Sequence, residues 1–343
     1  MTNTQRRLPA EWEPQYAIQL TWPHKHTDWN AEPGMLEEVT RCYVRLAEEI
    51  SKRENLIIVT PEPEEVIALL EEKLPMESLV RISLLECPTN DTWARDHSFI
   101  TTVLSREGEE NTYNYVDFRF NGWGGKFEAA LDNAISLHLY DSGLLAPGEY
   151  EDALSFELEG GSIESDGRGT ILTTAECNLN TNRRQGASRE EILANVEKEL
   201  RERLGAKRIL WLHHGGLEHD DTDAHIDTLA RLCPNDTIVY GEGCHEMEEE
   251  LKMLRTAEGN PYRLLSVPPY YANFLIMNGA VLLPLYGGDS DTPNEDGFSR
   301  ETDLRAKAVL KEAFPDREII GIDCRVLLRQ NGSLHCCTMQ FPA

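Results

Sequence analysis

The stretch Phe274-Leu-Ile-Met-Asn-Gly-Ala-Val-Leu-Leu283 contains the best hairpin signal in the sequence. Two apolar runs flank Asn278-Gly279, and this dipeptide supplies the positive φ angles of a two-residue hairpin turn. Apolar residues then recur at helical spacing over 301–314, and an apolar strand pattern follows over 318–322. This part of the sequence therefore predicts a unit made of a hairpin, a helix and a further strand.

Four more turn signals occur in similar apolar surroundings, at Glu107-Gly108, Asp166-Gly167, Pro234-Asn235-Asp236 and Asn331-Gly332. Consecutive signals are 43 to 69 residues apart, so five such units would fill the 343 residues. A ring of units would bury the apolar faces of each unit against its neighbours, as in a propeller. An irregular α+β domain would accommodate the same turns, and spacing alone does not separate the two architectures.

The segments between the turns alternate helical and strand patterns. Ser188-x-x-Glu191 is a capping-box sequence and predicts the start of a helix. The other predicted helices cover 36–50, 61–74 and 245–255, and predicted strands cover 56–59, 80–87, 208–212 and 264–267. Because no low-complexity or Gly/Ser-rich linker interrupts this alternation, we expect a single domain over residues 1–343.

The charge of the chain limits its partners. It has 60 Asp and Glu against 33 Lys and Arg, a net charge of −27. Such a surface repels phosphate backbones and attracts small cations, so nucleic acid is not an expected partner. No apolar run reaches the roughly 20 residues of a membrane span. The first residues carry no apolar signal segment, and the eight cysteines are too sparse for a disulfide scaffold, so we expect a cytoplasmic protein.

Reactive residue types concentrate in four segments, at 90–96, 158–162, 218–227 and 331–337. On an extended backbone His225 and Asp227 would point to the same side, whereas His335 and Cys336 would point to opposite sides. His335 is therefore a poor base for Cys336, and His225 is a better acid–base partner for this thiol. Glu159 could then orient the imidazole, which gives a three-part catalytic arrangement.

Asp96 and Asp227 remain as two carboxylates without an assigned cation. A planar guanidinium fits such a pair, because carboxylates bind its N–H forks in bidentate fashion. The substrate's positive charge would also favour the thiolate form of Cys336. We therefore expect a small cationic guanidino compound as substrate, with neither a cofactor nor a metal ion required.

Two other functions stay open. The segment 213–227 contains four histidines and five acidic residues, a composition that could bind zinc or manganese in a metal hydrolase. A non-catalytic binder of polyamine-like cations would show the same acidic surface. Trp93 and Trp123 could simply be core residues, because tryptophans pack in protein cores more often than they contact ligands.

Several ordered motifs resemble those of the agmatine deiminases and of the bacterial peptidyl-arginine deiminase family that contains them, within the guanidino-group-modifying (pentein) superfamily. The matching motifs span nearly the whole chain and include Trp22-Pro-His24, Thr92-Trp-Ala-Arg-Asp96, Phe120-Asn-Gly-Trp-Gly-Gly-Lys126, Leu158-Glu-Gly-Gly-Ser-Ile163, Thr173-Thr-Ala-Glu-Cys-Asn-Leu-Asn180, Asp221-Thr-Asp-Ala-His-Ile-Asp227, Asn273-Phe274 and His335-Cys336. The resemblance implies an α/β fold, specifically a five-bladed α/β propeller of ββαβ modules with pseudo-five-fold symmetry.

The resemblance also implies roles for individual residues. Cys336 matches the nucleophile, His225 the general acid–base group and Glu159 the carboxylate beside that histidine. Asp96 and Asp227 match the pair that binds the guanidinium. Trp93 and Trp123 lie in matching motifs and are expected to contact substrate.

The sequence departs from the agmatine deiminase pattern at two places. Gln330-Asn-Gly-Ser-Leu334 stands where the family has a Gly-Gly-Gly-Asn run before the cysteine, and His97-Ser-Phe99 replaces a segment with Gly-Pro. The first change lies beside the nucleophile and bears on the choice of substrate. We expect agmatine and hence a role in putrescine and polyamine synthesis, with peptidyl-arginine as the alternative. A homo-oligomer is compatible with the sequence.

Overall fold

The computed structural model describes residues 4–184, 188–216 and 220–343. The strands in these ranges, in chain order, are β1 (Gln5–Arg7), β2 (Gln15–Thr21), β3 (Asn55–Thr60), β4 (Ile82–Glu86), β5 (Ile100–Ser105), β6 (Thr112–Arg119), β7 (Gly148–Glu157), β8 (Ile163–Ser165), β9 (Thr170–Thr174), β10 (Arg208–Leu212), β11 (Ala230–Cys233), β12 (Thr237–Gly241), β13 (Arg263–Val267), β14 (Leu275–Met277), β15 (Ala280–Leu285), β16 (Glu318–Asp323) and β17 (Thr338–Pro342).

The helices differ widely in length, from single turns of four residues to the 17-residue α1. In chain order they are α1 (Met35–Ser51), α2 (Pro63–Lys73), α3 (Met76–Leu79), α4 (Ala94–His97), α5 (Gly122–Gly125), α6 (Asp132–Ser142), α7 (Ala175–Asn178), α8 (Arg189–Leu204), α9 (Ile226–Leu229), α10 (His245–Met253), α11 (Arg300–Ala313) and α12 (Arg325–Leu328), with 3-10 turns at Asp28–Asn30 and Gly160–Ser162. None of the helices in the described ranges is long and apolar enough to cross a membrane.

Contacts within the chain define two compact units. The first unit comprises the chain up to Glu13, Phe99–Glu128 and Pro147–Ala272, and the second comprises Pro14–Ser98, Ala129–Ala146 and Asn273–Ala343. Both have an α/β architecture with mixed sheets.

The first unit contains three sheets in its described residues, with the strand orders β1-β5-β6-β7, β10-β9-β8 and β11-β12-β13. In each of them an antiparallel hairpin is followed by a strand that adds in parallel. Helix α8 covers the strands with one apolar face, formed by Ile192, Val196, Leu200 and Leu204, all of them buried. The predicted capping box at Ser188 and Glu191 is present and fixes the start of this helix.

The second unit contains two sheets in its described residues, ordered β14-β15-β16 and β17-β2-β3-β4. The hairpin β14–β15 turns at Asn278-Gly279 as predicted, and β16 adds in parallel to β15. In the other sheet β17 pairs antiparallel with β2, so the last strand of the chain lies beside one near its start. Helix α1 packs on β3 and α12.

One predicted hairpin is wrong. The turns near residues 107, 166, 235 and 278 each connect two antiparallel strands, but Asn331-Gly332 lies between α12 and β17 with no hairpin around it. Asn331 has a positive φ of 58° and ends the helical segment. The physical reason is that a left-handed residue terminates a helix as readily as it forms a hairpin.

Candidate active site

The thiol of Cys336 lies in the second unit, in the turn that enters β17. It is 5% exposed, and the turn is closed by the Cys337 N–H, which donates to the carbonyl of Leu334 at 3.2 Å. The Asn273 side chain faces it: Nδ2 donates to Cys336 Sγ at 3.3 Å, the Sγ–H can donate to Oδ1 at 3.4 Å, and Oδ1 accepts the N–H of His335 at 2.9 Å. Asn273 therefore holds both the backbone of the turn and the sulfur atom.

Helix α4 is bonded to the same turn. The Arg95 N–H donates to the carbonyl of Cys336 at 3.1 Å, and Arg95 Nη1 donates to Oε1 of Gln340 at 2.6 Å. Asp96 is buried on this helix. The structure thus brings the segment that carries Asp96 to the backbone of Cys336.

Trp93 immediately precedes α4 and is also buried. Its ring lies 5.8 Å from that of Trp29, centroid to centroid, with the planes tilted by 47°. Gly332 also packs closely against the Trp93 ring, since a Cβ at this glycine would be 2.2 Å from Cζ3. The contacts with Trp29 and Gly332 restrict the orientation of this indole.

A buried carboxylate anchors the segment before α4. Asp132 accepts the N–H of Asn90 at 2.6 Å and that of Asp91 at 3.1 Å. Burial raises the pKa of Asp132 to about 8 and that of Asp91 to about 6, although backbone N–H groups partly oppose both effects. The protonated forms of these two acids are therefore favoured here more than in water.

The imidazole of His225 lies in the first unit, at the N-terminus of α9. His225 Nε2 is 3.9 Å from Oε2 of Glu159, a distance too long for a direct hydrogen bond, and both side chains are fully buried. Glu159 itself precedes the Gly160–Ser162 turn, which packs on α9. The pair predicted from the sequence is therefore in electrostatic contact.

Arg183 is the second partner of Glu159. Its Nε donates to the two carboxylate oxygens at 2.9 and 3.0 Å, and its side chain is fully buried. Burial alone would raise the pKa of Glu159, but the Arg183 guanidinium and the His225 imidazole outweigh it and lower this pKa to about 2. Glu159 is consequently a carboxylate throughout the neutral pH range.

Asp227 and Trp123 also lie in the first unit. Asp227 is fully buried in the first turn of α9, and its charge acts on the buried guanidinium of Arg231. Trp123 adopts a left-handed backbone conformation, and its ring contacts Phe120 and Phe127 edge to face at 5.0 and 5.6 Å. The described contacts of Trp123 are packing contacts.

The histidine-rich segment contributes little to a metal centre in its described part. His214 Nδ1 is 2.9 Å from Oε1 of Glu250, at the surface. Glu218 and His219 lie outside the described residues. From this segment, only His225 belongs to a described group of potential metal ligands, with Glu159 and Cys177, whose ligand atoms lie within 4.8 Å of one another.

Two steps of the sequence argument are wrong in geometry. His225 and Asp227 do not lie on an extended backbone, because α9 begins directly after His225. His335 and Cys336 lie in a turn rather than a strand. The i, i+2 rule for strands therefore does not apply at either place, since neither segment forms a ladder.

Sequence reasoning missed two side chains. In the sequence Asn273 stands out only as part of a family motif, and Arg183 follows the motif 173–180 without belonging to it. Their partners are 63 and 24 residues away along the chain. A buried cation opposite an expected catalytic carboxylate is the signal that could have pointed to Arg183.

Each unit thus holds one part of the chemistry that the sequence predicts. The second unit offers a thiol that receives an amide N–H, together with Asp96 and Trp93 on the adjoining segment. The first offers an imidazole beside a permanent carboxylate, together with Asp227. These are the groups of nucleophilic and of acid–base catalysis, respectively.

Comparison with known proteins supports one relationship over the whole chain. A Pseudomonas putida agmatine deiminase is 30% identical over an alignment that covers 98% of this chain and 95% of the relative. The structure of a Porphyromonas gingivalis protein assigned as an arginine deiminase matches with a TM-score of 0.85 at 45% identity, covering 98% of each chain.

A C. jejuni agmatine deiminase with a Cys→Ser substitution, solved with substrate bound, matches with a TM-score of 0.82 at 31% identity over 100% of this chain and 98% of that one. The family model of Porphyromonas-type peptidyl-arginine deiminases matches residues 7–342. Because this match covers almost the entire sequence, the chain belongs to the Porphyromonas-type peptidyl-arginine deiminase family.

Proposed function

We propose that the chain is a hydrolase that deiminates agmatine, converting agmatine and water to N-carbamoylputrescine and ammonia. The observation that carries this proposal is the buried Cys336 thiol, which accepts an N–H from Asn273 in a turn bonded to the segment of Asp96. Relatives at about 30% identity that are covered over nearly their whole length are named agmatine deiminases.

The chemistry proceeds through a covalent intermediate. In the proposed first step, the thiolate Sγ of Cys336 bonds to the guanidinium carbon. One C–N bond then breaks as protonated His225 gives its proton to the departing nitrogen, which leaves as ammonia, and a thiouronium remains on the sulfur. In the second step, His225 takes a proton from water, the oxygen bonds to the same carbon, and the C–S bond breaks to release the ureido product. Asp96 and Asp227 are the proposed acceptors of the guanidinium N–H groups.

The charge of Glu159 supports the role of His225. A carboxylate 3.9 Å from the imidazole favours its protonated form, which is the form that delivers a proton to the departing amino group. Trp93 and Trp123 are proposed to line the substrate. The net charge of −27 agrees with a small cationic substrate and disfavours a nucleic-acid partner.

We also propose that the sheets form the five blades of an α/β propeller, in one domain. The support is their common plan in the described residues: four of the five have an antiparallel hairpin followed by a parallel strand, and the fifth uses the pair β17–β2 in place of a hairpin. A site on the axis of such a ring would draw residues from several blades.

Peptidyl-arginine is the second candidate substrate. The family description and the 33% identity to a protein whose structure is described as that of a peptidyl-arginine deiminase favour it. The two candidates differ at the end remote from the guanidino group, since agmatine ends in an amine whereas a peptidyl-arginine side chain is attached to a backbone.

An ammonia assay with agmatine, free arginine and an arginine-containing peptide tests the proposal. We expect turnover of agmatine, and Cys336→Ser should lose it by about 10³-fold or more. Cys244→Ser changes a half-buried thiol remote in sequence and is the matched control. Retention of more than a few per cent of activity in Cys336→Ser would refute the nucleophile, and turnover of peptide alone would refute agmatine.

The same preparation separates the remaining functions. A metal hydrolase would contain stoichiometric metal and lose activity with a chelator. A cation-binding protein would be stabilised by agmatine without releasing ammonia. Mass spectrometry of the protein during turnover should instead detect a covalent adduct on Cys336.

A further inference from the structure

We infer that Arg183 is a positioning residue that couples the carboxylate of Glu159 to the loop that presents His225. This inference rests on the proposed function for its effect on catalysis, but its geometric basis does not depend on the substrate. It concerns groups that lie entirely within the first unit.

The guanidinium of Arg183 bonds in two directions. On one side Nε donates to both oxygens of Glu159 at 2.9 and 3.0 Å. On the other side Nη1 donates to Oδ2 of Asp223 at 2.7 Å, and Nη2 donates to the carbonyl of Thr222 at 3.0 Å. One rigid planar fork therefore bridges the catalytic carboxylate and the residues that directly precede His225.

The loop that Arg183 holds is strained. Asp223 and Ala224 have consecutive positive φ values of 62° and 64°, a conformation that costs free energy for residues other than glycine. Thr174 Oγ1 donates to the carbonyl of Ala224 at 2.7 Å, and Asp220 Oδ2 accepts the Ala224 N–H at 2.6 Å. These bonds and the Asp223 ion pair offset the strain and set the direction in which α9 and His225 leave the loop.

A second cation completes the attachment of the loop. Lys126 Nζ lies 2.8 Å from Oδ1 of Asp223 and donates to the carbonyl of Asp221 at 2.6 Å. Asp223 is thus held on both of its carboxylate oxygens. Lys126 is partly exposed and does not reach Glu159 through any described bond, so Arg183 is the described link between the loop and that carboxylate.

The electrostatic consequence concerns the charge of Glu159. The titratable or charged groups described around this carboxylate are Arg183, His225, Cys177 and Arg184. Arg183 is the one that bonds both oxygens. Without this cation, burial would dominate, and the carboxyl group would take up a proton at a higher pH. A neutral Glu159 no longer favours the imidazolium form of His225.

The test compares Arg183→Met with the wild-type enzyme over a range of pH. We expect kcat with agmatine to fall by about 10- to 100-fold at neutral pH. We also expect the acid limb of the kcat/KM profile to move to higher pH, because activity now requires deprotonation of Glu159. A purely structural role would lower activity at every pH without moving this limb.

Arg184→Met is the matched control. Arg184 is an adjacent buried arginine, but it bonds the carbonyl of Glu157 and stacks on Phe156 instead of contacting Glu159. Its charge also acts on Glu159, but without a described hydrogen bond, so its replacement should move the acid limb less than Arg183→Met does. An equal displacement in both variants would overturn the specific role of Arg183.

Arg183→Lys tests the geometry separately from the charge. A lysine keeps the positive charge but cannot bond Glu159 and Asp223 with one planar fork. We expect the acid limb to stay near its wild-type position while kcat falls by about 10-fold. A wild-type kcat in Arg183→Lys would overturn the bridging role. This variant also tests the inference if Arg183→Met does not fold.

A readout without substrate distinguishes failure of this inference from failure of the proposed function. In protein labelled with ¹³C at glutamate carboxyls, the Glu159 signal, identified by its loss in Glu159→Gln, should not titrate between pH 5 and 9 in the wild type. It should titrate in this range in Arg183→Met. An unchanged signal would refute the inference, whatever the enzyme's substrate proves to be.

Discussion

Gly332 and Trp93 are in contact such that no side chain fits between them. A Cβ atom on Gly332 would lie 2.2 Å from Cζ3 and 2.3 Å from Cη2 of the indole ring. The backbone at this glycine is not left-handed, so the need for glycine is one of space and not of conformation. The loop that leads to Cys336 therefore supports the indole that precedes Asp96.

Gly332→Ala should consequently displace Trp93 or the loop. We expect a loss of about 1–3 kcal/mol in the free energy of unfolding and a rise in KM for agmatine. Denaturant unfolding and steady-state kinetics measure the two effects. Gly216→Ala is the control, because no atom of the described residues lies within 4 Å of a Cβ at that position and its φ is ordinary. Wild-type stability and KM in Gly332→Ala would contradict the contact.

Asn273→Asp should slow the reaction of the Cys336 thiol. The substitution keeps the oxygen that accepts the His335 N–H but replaces the donor to sulfur by an acceptor. We expect alkylation of Cys336 by iodoacetamide and kcat each to fall by about 10-fold or more. The exposed Asn30→Asp in the same unit serves as a comparison. Unaltered alkylation would show that the amide does not act on the sulfur.

Glu54 should make the free energy of unfolding decrease as the pH rises, whereas an ion-paired acid makes it increase. Burial raises its pKa from 4.5 to about 7, although the Asn278 N–H and Arg317 oppose this effect. A raised pKa means that the folded state favours the protonated form, so the stabilisation is complete below pH 4.5 and is lost as the pH rises through 7.

Glu54→Gln removes this titration. Relative to Glu54→Gln, the wild-type free energy of unfolding should therefore decrease by about 2–3 kcal/mol between pH 4.5 and 8. Denaturant unfolding of both proteins at several pH values gives the difference. The exposed Glu77→Gln should run parallel to the wild type. Parallel curves for Glu54→Gln would disprove the raised pKa.

Arg231→Met should strongly destabilise the first unit. Arg231 is fully buried, Nη2 donates to Oε2 of Glu11 at 2.6 Å, and Nε donates to Glu164. Removing the guanidinium leaves two acids without this buried partner, which costs about 3–5 kcal/mol. Arg201→Met breaks an exposed pair with Glu197 and should cost less than about 1 kcal/mol. Similar losses in the two variants would show that burial does not matter here.

The long elements followed from local patterns. Helices α1, α8 and α11 each expose one polar face and bury one apolar face, so their residues recur at helical spacing in the sequence. Four hairpins lie at the predicted turns, because positive φ at these turns favours glycine, asparagine or aspartate. Such features depend on neighbours within a few residues.

The short elements that carry the candidate site did not follow from patterns. Helices α4, α7 and α9 have four residues each, too few to show a period, and they carry Asp96, Cys177 and Asp227. The sequence argument uses an extended backbone at His225 and at Cys336, whereas the chain turns at both places. Their conformation depends on the bonds of Thr222, Asn273 and Arg95 to the local backbone.

Side-chain type and short-range periodicity are properties of the chain alone, and they are enough to identify the residues that could carry the chemistry and the local elements that these residues follow. The folded arrangement is needed to show that Asn273 holds the sulfur of Cys336, that Arg183 bridges Glu159 and Asp223, and that Trp93 needs a glycine beside it. These partners are distant in sequence, and packing of the strands and turns that carry them brings them within bonding distance.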